Sequence, residues 1–191
     1  MKKSFLSAML LTTMLGAAHV NAADYVIDTD GAHAFINFKV QHLGYSWLHG
    51  RFNTFKGEFS YDNANLAASK INLTIDTKSV DSNHAERDKH LRSPDFLNVD
   101  KHGTASFTSS KIVPKTADEF DVVGTFTFNG VSKEITIAAK KTGEGKDPWG
   151  GYRAGFEGKT SINLTDYNIK NILGPASETV HLELVVEGIR K

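Results

Sequence analysis

Apolar and polar residues alternate with a period of two along most of the chain after residue 23, and this pattern constrains the fold more than any other feature. It is clearest at residues 180–187, whose sequence is VHLELVVE. Such alternation is typical of strands that bury one face. About eight such regions follow one another, and Asn129-Gly130 between two of them is typical of a two-residue hairpin turn. The sequence therefore predicts an all-β protein whose antiparallel strands are joined mostly in chain order.

An eight-stranded antiparallel barrel is the architecture we expect, because closure leaves no free strand edge. A β-sandwich is the alternative. The barrel is favoured because the strand regions are long and several carry aromatic or small apolar residues on both faces. An eight-stranded barrel can hold one small or slender ligand, whereas a sandwich fills its interior with its own side chains. The pattern thus points to a ligand-holding barrel.

One charged segment, residues 83–97, departs from the strand pattern and predicts a single short helix. Asn83 is the expected N-cap, and Glu86 stands three residues later, as in a capping box. Pro94 disfavours helical geometry at Ser93 and so ends the helix. A lone polar helix in an all-β chain usually covers or lines something, so we expect it to mark the functional site.

Two interpretations of this helix remain open. In the first, it is a solvated helix stabilised by i,i+4 pairs, Asp88 with Arg92 and Glu86 with His90. In the second, Arg87 and Arg92 present forked donors to a phosphate or another oxygen-rich head group. His90 lies close to Arg87 on the helix surface because of its i,i+3 spacing, and it joins the candidates for head-group binding.

Aromatic residues are candidates for the walls of a pocket, since such walls are mostly apolar and aromatic with a few placed polar groups. Clusters around Trp47 and Trp149 interrupt the strand pattern, and each tryptophan could alternatively cap one end of the barrel core. The predicted ligand-binding residues are Phe35, Phe38, Trp47, Arg87, His90, Arg92, Trp149 and Arg153.

The N-terminus has the features of a secretory signal peptide. Two lysines precede an apolar core at residues 5–15, and small residues near Ala22 predict cleavage after that position. The core is too short to span a bilayer, which takes about 20 apolar residues. Residues 23–191 would then form one domain. The chain has no Cys, and an exported protein without disulfides suits a bacterial periplasm.

Charge and motifs exclude several other classes of protein. The formal net charge is zero for the whole chain, so the basic excess of a nucleic-acid binder is missing. No nucleophile elbow of the G-x-S-x-G type occurs. His84 and His90 do not share a helix face, and nine residues of strand separate His33 from His42 by about 30 Å. We therefore predict neither catalytic residues nor a metal site.

Several short segments occur together in one order along the whole mature chain: residues 33–38, 42–44, 80–83, 87–96, 129–131, 147–150, 153–156 and 173–177. In these segments the chain resembles the YceI-like family of periplasmic polyisoprenoid-binding proteins. Lys101-His102 departs from the family, which often has Tyr-Pro there. The resemblance implies a lipocalin-like eight-stranded barrel that holds a long isoprenoid, such as a prenyl phosphate or a quinone. It implies a periplasmic carrier with no established catalytic residues.

Two other functions remain open at this point. An enzyme acting on an isoprenoid-type substrate would place His33 or His181 near a carboxylate deep in the barrel. A redox partner of a membrane cytochrome would use a bound quinone as its shuttle. The expected partner is an isoprenoid lipid, no other cofactor is expected, and transient membrane contact and homodimer formation are both compatible with a carrier.

Overall fold

The computed structural model describes residues 22–191, so the predicted signal peptide lies outside the described residues except for Ala22. The described strands and helix are β1 (Ala23–Ile27), β2 (Phe35–His42), β3 (Ser46–Phe52), β4 (Phe55–Tyr61), β5 (Lys70–Asp76), β6 (Val80–Asp81), α1 (Ala85–Arg92), β7 (Thr104–Pro114), β8 (Glu119–Phe128), β9 (Val131–Lys146), β10 (Tyr152–Asn163) and β11 (Thr179–Arg190). Within residues 22–191, no helix has the length and apolar character needed to cross a membrane.

The strands form a closed antiparallel barrel. Around its circumference the pairing runs β1-β4-β5-β7-β8-β9-β10-β11, and β1 closes the circle on β11, with Tyr25 opposite Arg190. The first half of β11 pairs instead with β2, where Val180 lies opposite Val40. β3 pairs with β2, and β6 pairs with β3. The predicted eight-stranded barrel with one α-helix is thus confirmed.

The first three of the eight barrel strands are each interrupted. β1 and β2 run along the same edge of β11 and are separated by a turn at residues 28–34. β3 and β4 are separated at Asn53 and Thr54, whose backbone N–H groups donate to the carbonyl and hydroxyl oxygens of Ser79. β5 and β6 are separated by a 3-10 turn at Thr77–Ser79.

The two ends of the barrel differ in what fills them. The front end carries α1 and the segment between β10 and β11, and the β2–β3 and β8–β9 turns lie at the same end. The far end holds a cluster of aromatic rings around Phe156, which makes edge contacts with Phe59, Tyr61 and Phe120. Tyr25 stacks on Phe59 with ring centroids 4.8 Å apart. A second aromatic cluster, Phe126, Phe128 and Tyr167, lies towards the front end.

The start of α1 differs by one residue from the prediction. His84 is the N-cap, and its Nδ1 accepts a hydrogen bond from the N–H of Arg87 at 3.2 Å. Asn83 has a φ of 62° and belongs to the turn before the helix, where its N–H donates to Asp81. Asn tolerates this left-handed conformation better than most residues. The predicted capping box of Asn83 and Glu86 is therefore wrong, whereas the helix and its end before Ser93 are confirmed.

Candidate functional site

The front half of the barrel encloses a cavity of about 530 Å³. Its walls are the inward-facing aliphatic and aromatic side chains of the barrel strands, such as Ile36, Phe38, Leu182 and Leu184. Such side chains line the interior because successive residues of a strand point to opposite faces. The volume falls in the usual range for small-ligand sites, about 300–1,000 Å³. This cavity is the candidate binding site.

The titratable side chains of the lining lie at the front end of the cavity, three of them on α1 and His42 at the end of β2. Glu86, Arg87 and His90 contribute to the wall from the helix, and Asn171 contributes from the segment that precedes β11. Leu91, from the same helix, adds apolar surface. An apolar chamber with polar groups gathered at one end suits a ligand that has a long apolar part and a small polar head.

The position of α1 is fixed by buried polar contacts with β6 and the residue after it. The carboxylate of Asp88 is buried and accepts a hydrogen bond from the N–H of Ser82 at 2.8 Å and another from its hydroxyl. One turn further along the same face of the helix, Arg92 donates to the carbonyl oxygen of Val80 at 3.1 Å. Neither i,i+4 ion pair forms within the described residues. Asp88 bonds to Ser82 and Arg92 to Val80, whereas His90 lies beside Asp95.

Arg87 is the cation that the structure places in the cavity wall. Its Nε donates to the hydroxyl of Ser82 at 2.8 Å, and its Nη2 donates to the carbonyl oxygen of Ser82 at 2.7 Å. Within residues 22–191 its Nη1 donates no hydrogen bond. The guanidinium is therefore held in one orientation by Ser82, and one donor group remains for a ligand.

His90 lines the cavity as well, but its side chain is more than half exposed. Its Nε2 lies 3.3 Å from a carboxylate oxygen of Asp95, and its ring meets the ring of Phe96 edge-on at 5.0 Å. Phe96 also lines the cavity. His90 is thus a polar group at the rim. Arg92, in contrast, donates hydrogen bonds to the carbonyl oxygens of Lys78 and Val80 and does not line the cavity.

The predicted aromatic candidates divide between the inside and the outside of the barrel. Phe38 lines the cavity and packs against Phe52, with ring centroids 5.8 Å apart. Phe35 is 37% exposed and points away from the cavity. Trp47 is 45% exposed and lies on the outer surface against His181 and Lys39. The structure therefore brings only Phe38 of these three to the cavity.

Trp149 and Arg153 lie near the far end, away from the cavity. Trp149 is 78% exposed, and the guanidinium of Arg153 lies 5.5 Å from the centre of its ring. Arg153 makes ion pairs with Asp28 and Glu187 at 2.6 Å and with Asp147 at 3.0 Å. These three carboxylates raise the pKa of Arg153. Through Nε and Nη1, the guanidinium ties the β9–β10 turn to Asp28 and Glu187 on the outer wall.

Asp28 is the buried member of this ion-pair cluster. Hydrogen bonds from Arg153, and then from the N–H of Gly31, lower its pKa to about 2. His33 and Glu187 place further ligand atoms close enough to form a potential metal-binding set with Asp28. Arg153 already lies 2.6 Å from both carboxylates, so it supplies the positive charge that a metal ion would otherwise bring.

The histidines that an enzyme would need are also outside the cavity. The His33 side chain is 53% exposed on the outer surface, and the Nδ1 of His181 lies 2.8 Å from the hydroxyl of Ser161. Neither residue contributes to the cavity wall. The expectation that an enzyme would place one of them near a carboxylate deep in the barrel is not met.

Sequence reasoning missed most of the residues that build the cavity. Glu86 was expected to cap the helix or pair with His90 and not to line a cavity, and Asn171 was not singled out. The aliphatic walls follow from the alternation itself, because the inward set of β11 at Val180, Leu182 and Leu184 is the more apolar one. No comparable sequence pattern indicates the polar residues of the rim, because their position depends on which loops meet at the front end.

A closed barrel with an apolar cavity and polar groups at one rim is the architecture of a lipocalin-like binding protein. The chain belongs to the family of the YceI-like domain, whose sequence profile matches residues 25–188. A UPF0312 protein of Ectopseudomonas mendocina is 58% identical over 191 residues, which cover 100% of both chains. Protein YceI of Escherichia coli O157:H7 is 56% identical with the same coverage.

Solved structures of similar proteins agree with this fold. A YceI protein of Campylobacter jejuni has a TM-score of 0.71 and 29% identity, covering 80% of this chain and 91% of that one. A polyisoprenoid binding domain from Saccharophagus degradans has a TM-score of 0.65 and 18% identity, covering 89% of this chain and 99% of that one. At that identity the second likeness shows the fold alone.

Proposed function

We propose that this protein is a periplasmic carrier that holds one isoprenoid lipid, with the tail in the cavity and the head group beside α1. The observation that carries the proposal is the apolar cavity of about 530 Å³ with its charged side chains confined to one end. Family membership and the polyisoprenoid-binding role in the name of the Saccharophagus degradans domain support it. The predicted signal peptide supports the periplasmic location.

The energetics of an apolar tail suit a carrier. Each buried methylene contributes about 0.8 kcal/mol relative to water, so a prenyl tail in this cavity would bind very tightly if water were its alternative. The alternative is a lipid bilayer, which is equally apolar, so the net affinity is modest and the lipid can exchange. Loading and release then require transient contact with a membrane, which is part of the proposal. Homodimer formation stays a prediction.

The charges at the rim favour an uncharged polar head group, such as a quinone, over a phosphate. Arg87 and Glu86 both line the cavity, so a phosphate near the guanidinium would also meet a carboxylate. Repulsion between the Glu86 carboxylate and the phosphate would strongly disfavour a phosphorylated ligand. Arg92, the second cation that could have bound a phosphate, is engaged with Val80. A quinone carbonyl needs only one donor, which the Nη1 group of Arg87 can supply.

Mass spectrometry of organic extracts from the protein purified out of its native periplasm tests the proposal. We expect an isoprenoid lipid in near one-to-one amount, with a quinone or another neutral head group. A prenyl phosphate would overturn the head-group assignment but leave the carrier role intact. A folded protein that is repeatedly empty, and that takes up no prenyl lipid from vesicles, would refute the carrier role.

A further inference from the structure

Four apolar side chains divide the interior of the barrel into two chambers. Leu73 of β5, Phe107 of β7, Ile137 of β9 and Leu184 of β11 line both the front cavity and a smaller rear cavity of about 100 Å³. Leu73 and Phe107 lie opposite each other on neighbouring strands, whereas β8 separates Phe107 from Ile137 and β10 separates Ile137 from Leu184. Together the four side chains form the layer between the two cavities. We call this layer the four-residue ring.

The rear chamber continues the apolar lining of the front one. Its walls include Phe59, Phe120 and Phe156, which belong to the aromatic cluster at the far end. Ile112 and Val122 complete the apolar surface on the neighbouring strands. A tail that entered from the front would therefore meet the four-residue ring first and the aromatic cluster last.

Glycines on the strands between the ring members give the ring its width. A Cβ at Gly158 of β10 would lie 2.9 Å from Cγ2 of Ile137 and 3.3 Å from Cδ1 of Leu184. A Cβ at Gly124 of β8 would lie 2.6 Å from the ring of Phe107. The large side chains thus lean over the small residues beside them, a common way to fill a small barrel. Because the four ring side chains already pack against the barrel wall, their size sets the width of the passage between the two chambers.

We propose that the four-residue ring sets the length of the prenyl tail that the protein holds. This inference rests on the proposed carrier function and adds a determinant of ligand choice to it. A tail that ends within the front chamber leaves the ring undisturbed. A longer tail has to displace packed side chains before it gains the small rear chamber, and displacement of close-packed groups is costly. Selection by length therefore occurs at this layer.

Two matched pairs of variants test the inference. Leu184→Ala joins the two chambers, whereas Leu182→Ala, two residues away on the same strand, enlarges the front chamber alone. Ile137→Phe narrows the ring, whereas Ile135→Phe puts the same bulk into the front chamber. Each full-length protein is incubated with vesicles that contain an equimolar series of prenyl alcohols of increasing length. The retained alcohols are then measured by mass spectrometry, with circular dichroism as the check on folding.

We expect Leu184→Ala to shift the retained mixture by at least one isoprene unit towards longer tails, and Ile137→Phe to shift it towards shorter ones. Leu182→Ala and Ile135→Phe change the total amount retained more than its length distribution. Equal shifts within each pair would overturn the role of the ring. If the unmodified protein retained no prenyl alcohol at all, the proposed function would fail first and the ring inference with it. If Leu184→Ala did not fold, the Ile137 and Ile135 pair would decide alone.

Discussion

The carboxylate of Asp88 accepts hydrogen bonds from both the backbone N–H and the hydroxyl of Ser82, and both residues are buried. The same serine accepts a hydrogen bond from Nε of Arg87 through its hydroxyl and one from Nη2 through its carbonyl oxygen. Ser82 therefore joins the attachment of α1 to the orientation of the cation in the cavity wall. A substitution of Asp88, which does not line the cavity, should therefore alter the orientation of Arg87 in the cavity wall.

Asp88→Ala should destabilise the protein by about 1.5–3 kcal/mol, the usual contribution of hydrogen bonds to a charged group. The loss should appear as a lower urea midpoint and as faster amide exchange in residues 85–92. Asp95→Ala is the matched control, because that carboxylate is exposed and its one side-chain partner within residues 22–191 is His90; its effect should stay within about 0.5 kcal/mol. Equal losses in the two variants would contradict the role given to Asp88.

Arg87→Gln should weaken binding of a lipid that carries a polar head group, and leave binding of its bare hydrocarbon tail nearly unchanged. We expect a loss of about tenfold, corresponding to about 1.4 kcal/mol for one good hydrogen bond. Competition against a fluorescent fatty acid, with a prenyl quinone and the matching prenyl hydrocarbon as competitors, measures both affinities.

Arg92→Gln is the control for that experiment, since Arg92 donates to the carbonyl oxygen of Val80 and does not line the cavity. It should lower the stability of the protein, and it should weaken the two competitors to the same extent. A selective loss of the quinone in Arg92→Gln, with none in Arg87→Gln, would show that the two arginines have been assigned the wrong way round.

Stability in acid should depend on Asp28. Its pKa is lowered from 3.8 to about 2, chiefly by the hydrogen bond from Arg153, and its side chain is only 5% exposed. A carboxylate with a lowered pKa stabilises the folded state above its unfolded pKa and loses this contribution as the pH falls through the folded value. The contribution should therefore be complete above about pH 4 and lost towards pH 2. It should amount to about 2 kcal/mol.

Urea unfolding at pH 5 and at pH 2 checks this window. Asp28→Asn should be less stable than the unmodified protein at pH 5, and the gap between the two should close at pH 2. Asp30→Asn is the control, because Asp30 lies exposed in the same turn and makes no ion pair within the described residues. A gap that persists undiminished at pH 2 would mean that Asp28 acts through packing and not through its charge.

Gly130→Ala should destabilise the β8–β9 hairpin. Gly130 has a φ of 76°, and a Cβ there would lie 2.7 Å from the ring of His102. Backbone strain and crowding together should cost about 1–3 kcal/mol. Gly143→Ala is the matched control on β9, since a Cβ at Gly143 meets no atom within 4 Å. In thermal melts, the Tm of Gly130→Ala should therefore be lower than that of the unmodified protein, and the Tm of Gly143→Ala should be close to it.

The barrel could be predicted from the sequence because strand alternation and the Asn129-Gly130 turn are local signals. Both residues of that turn have positive φ, as the hairpin type requires. The interruptions in the first three strands were not foreseen, since they depend on distant partners. Thr54, for example, donates to Ser79 from across the break. Nothing in the residues around Thr54 indicates that contact.

The site could be predicted only where local geometry decides it. Arg87 and His90 were expected together from their helical spacing, and both line the cavity. Phe35 and Phe38 are three residues apart on a strand, so they point to opposite faces and only one could enter the barrel. Trp149 and Arg153 lie near the far end because of long-range pairing, with Arg153 opposite Ile189. The sequence around them carries no sign of which end that is.

The pairing of Tyr25 with Arg190 makes the closed barrel depend on residues from nearly opposite ends of the chain. Closing so long a loop is entropically unfavourable, and contacts of such high sequence separation form late and slowly. No enclosed chamber exists until the final strand has docked between β10 and β1. Loss of the last few residues should therefore open the wall where Gly188, Ile189 and Arg190 pair with β1, and a nascent chain has no closed chamber for a lipid before its synthesis is complete.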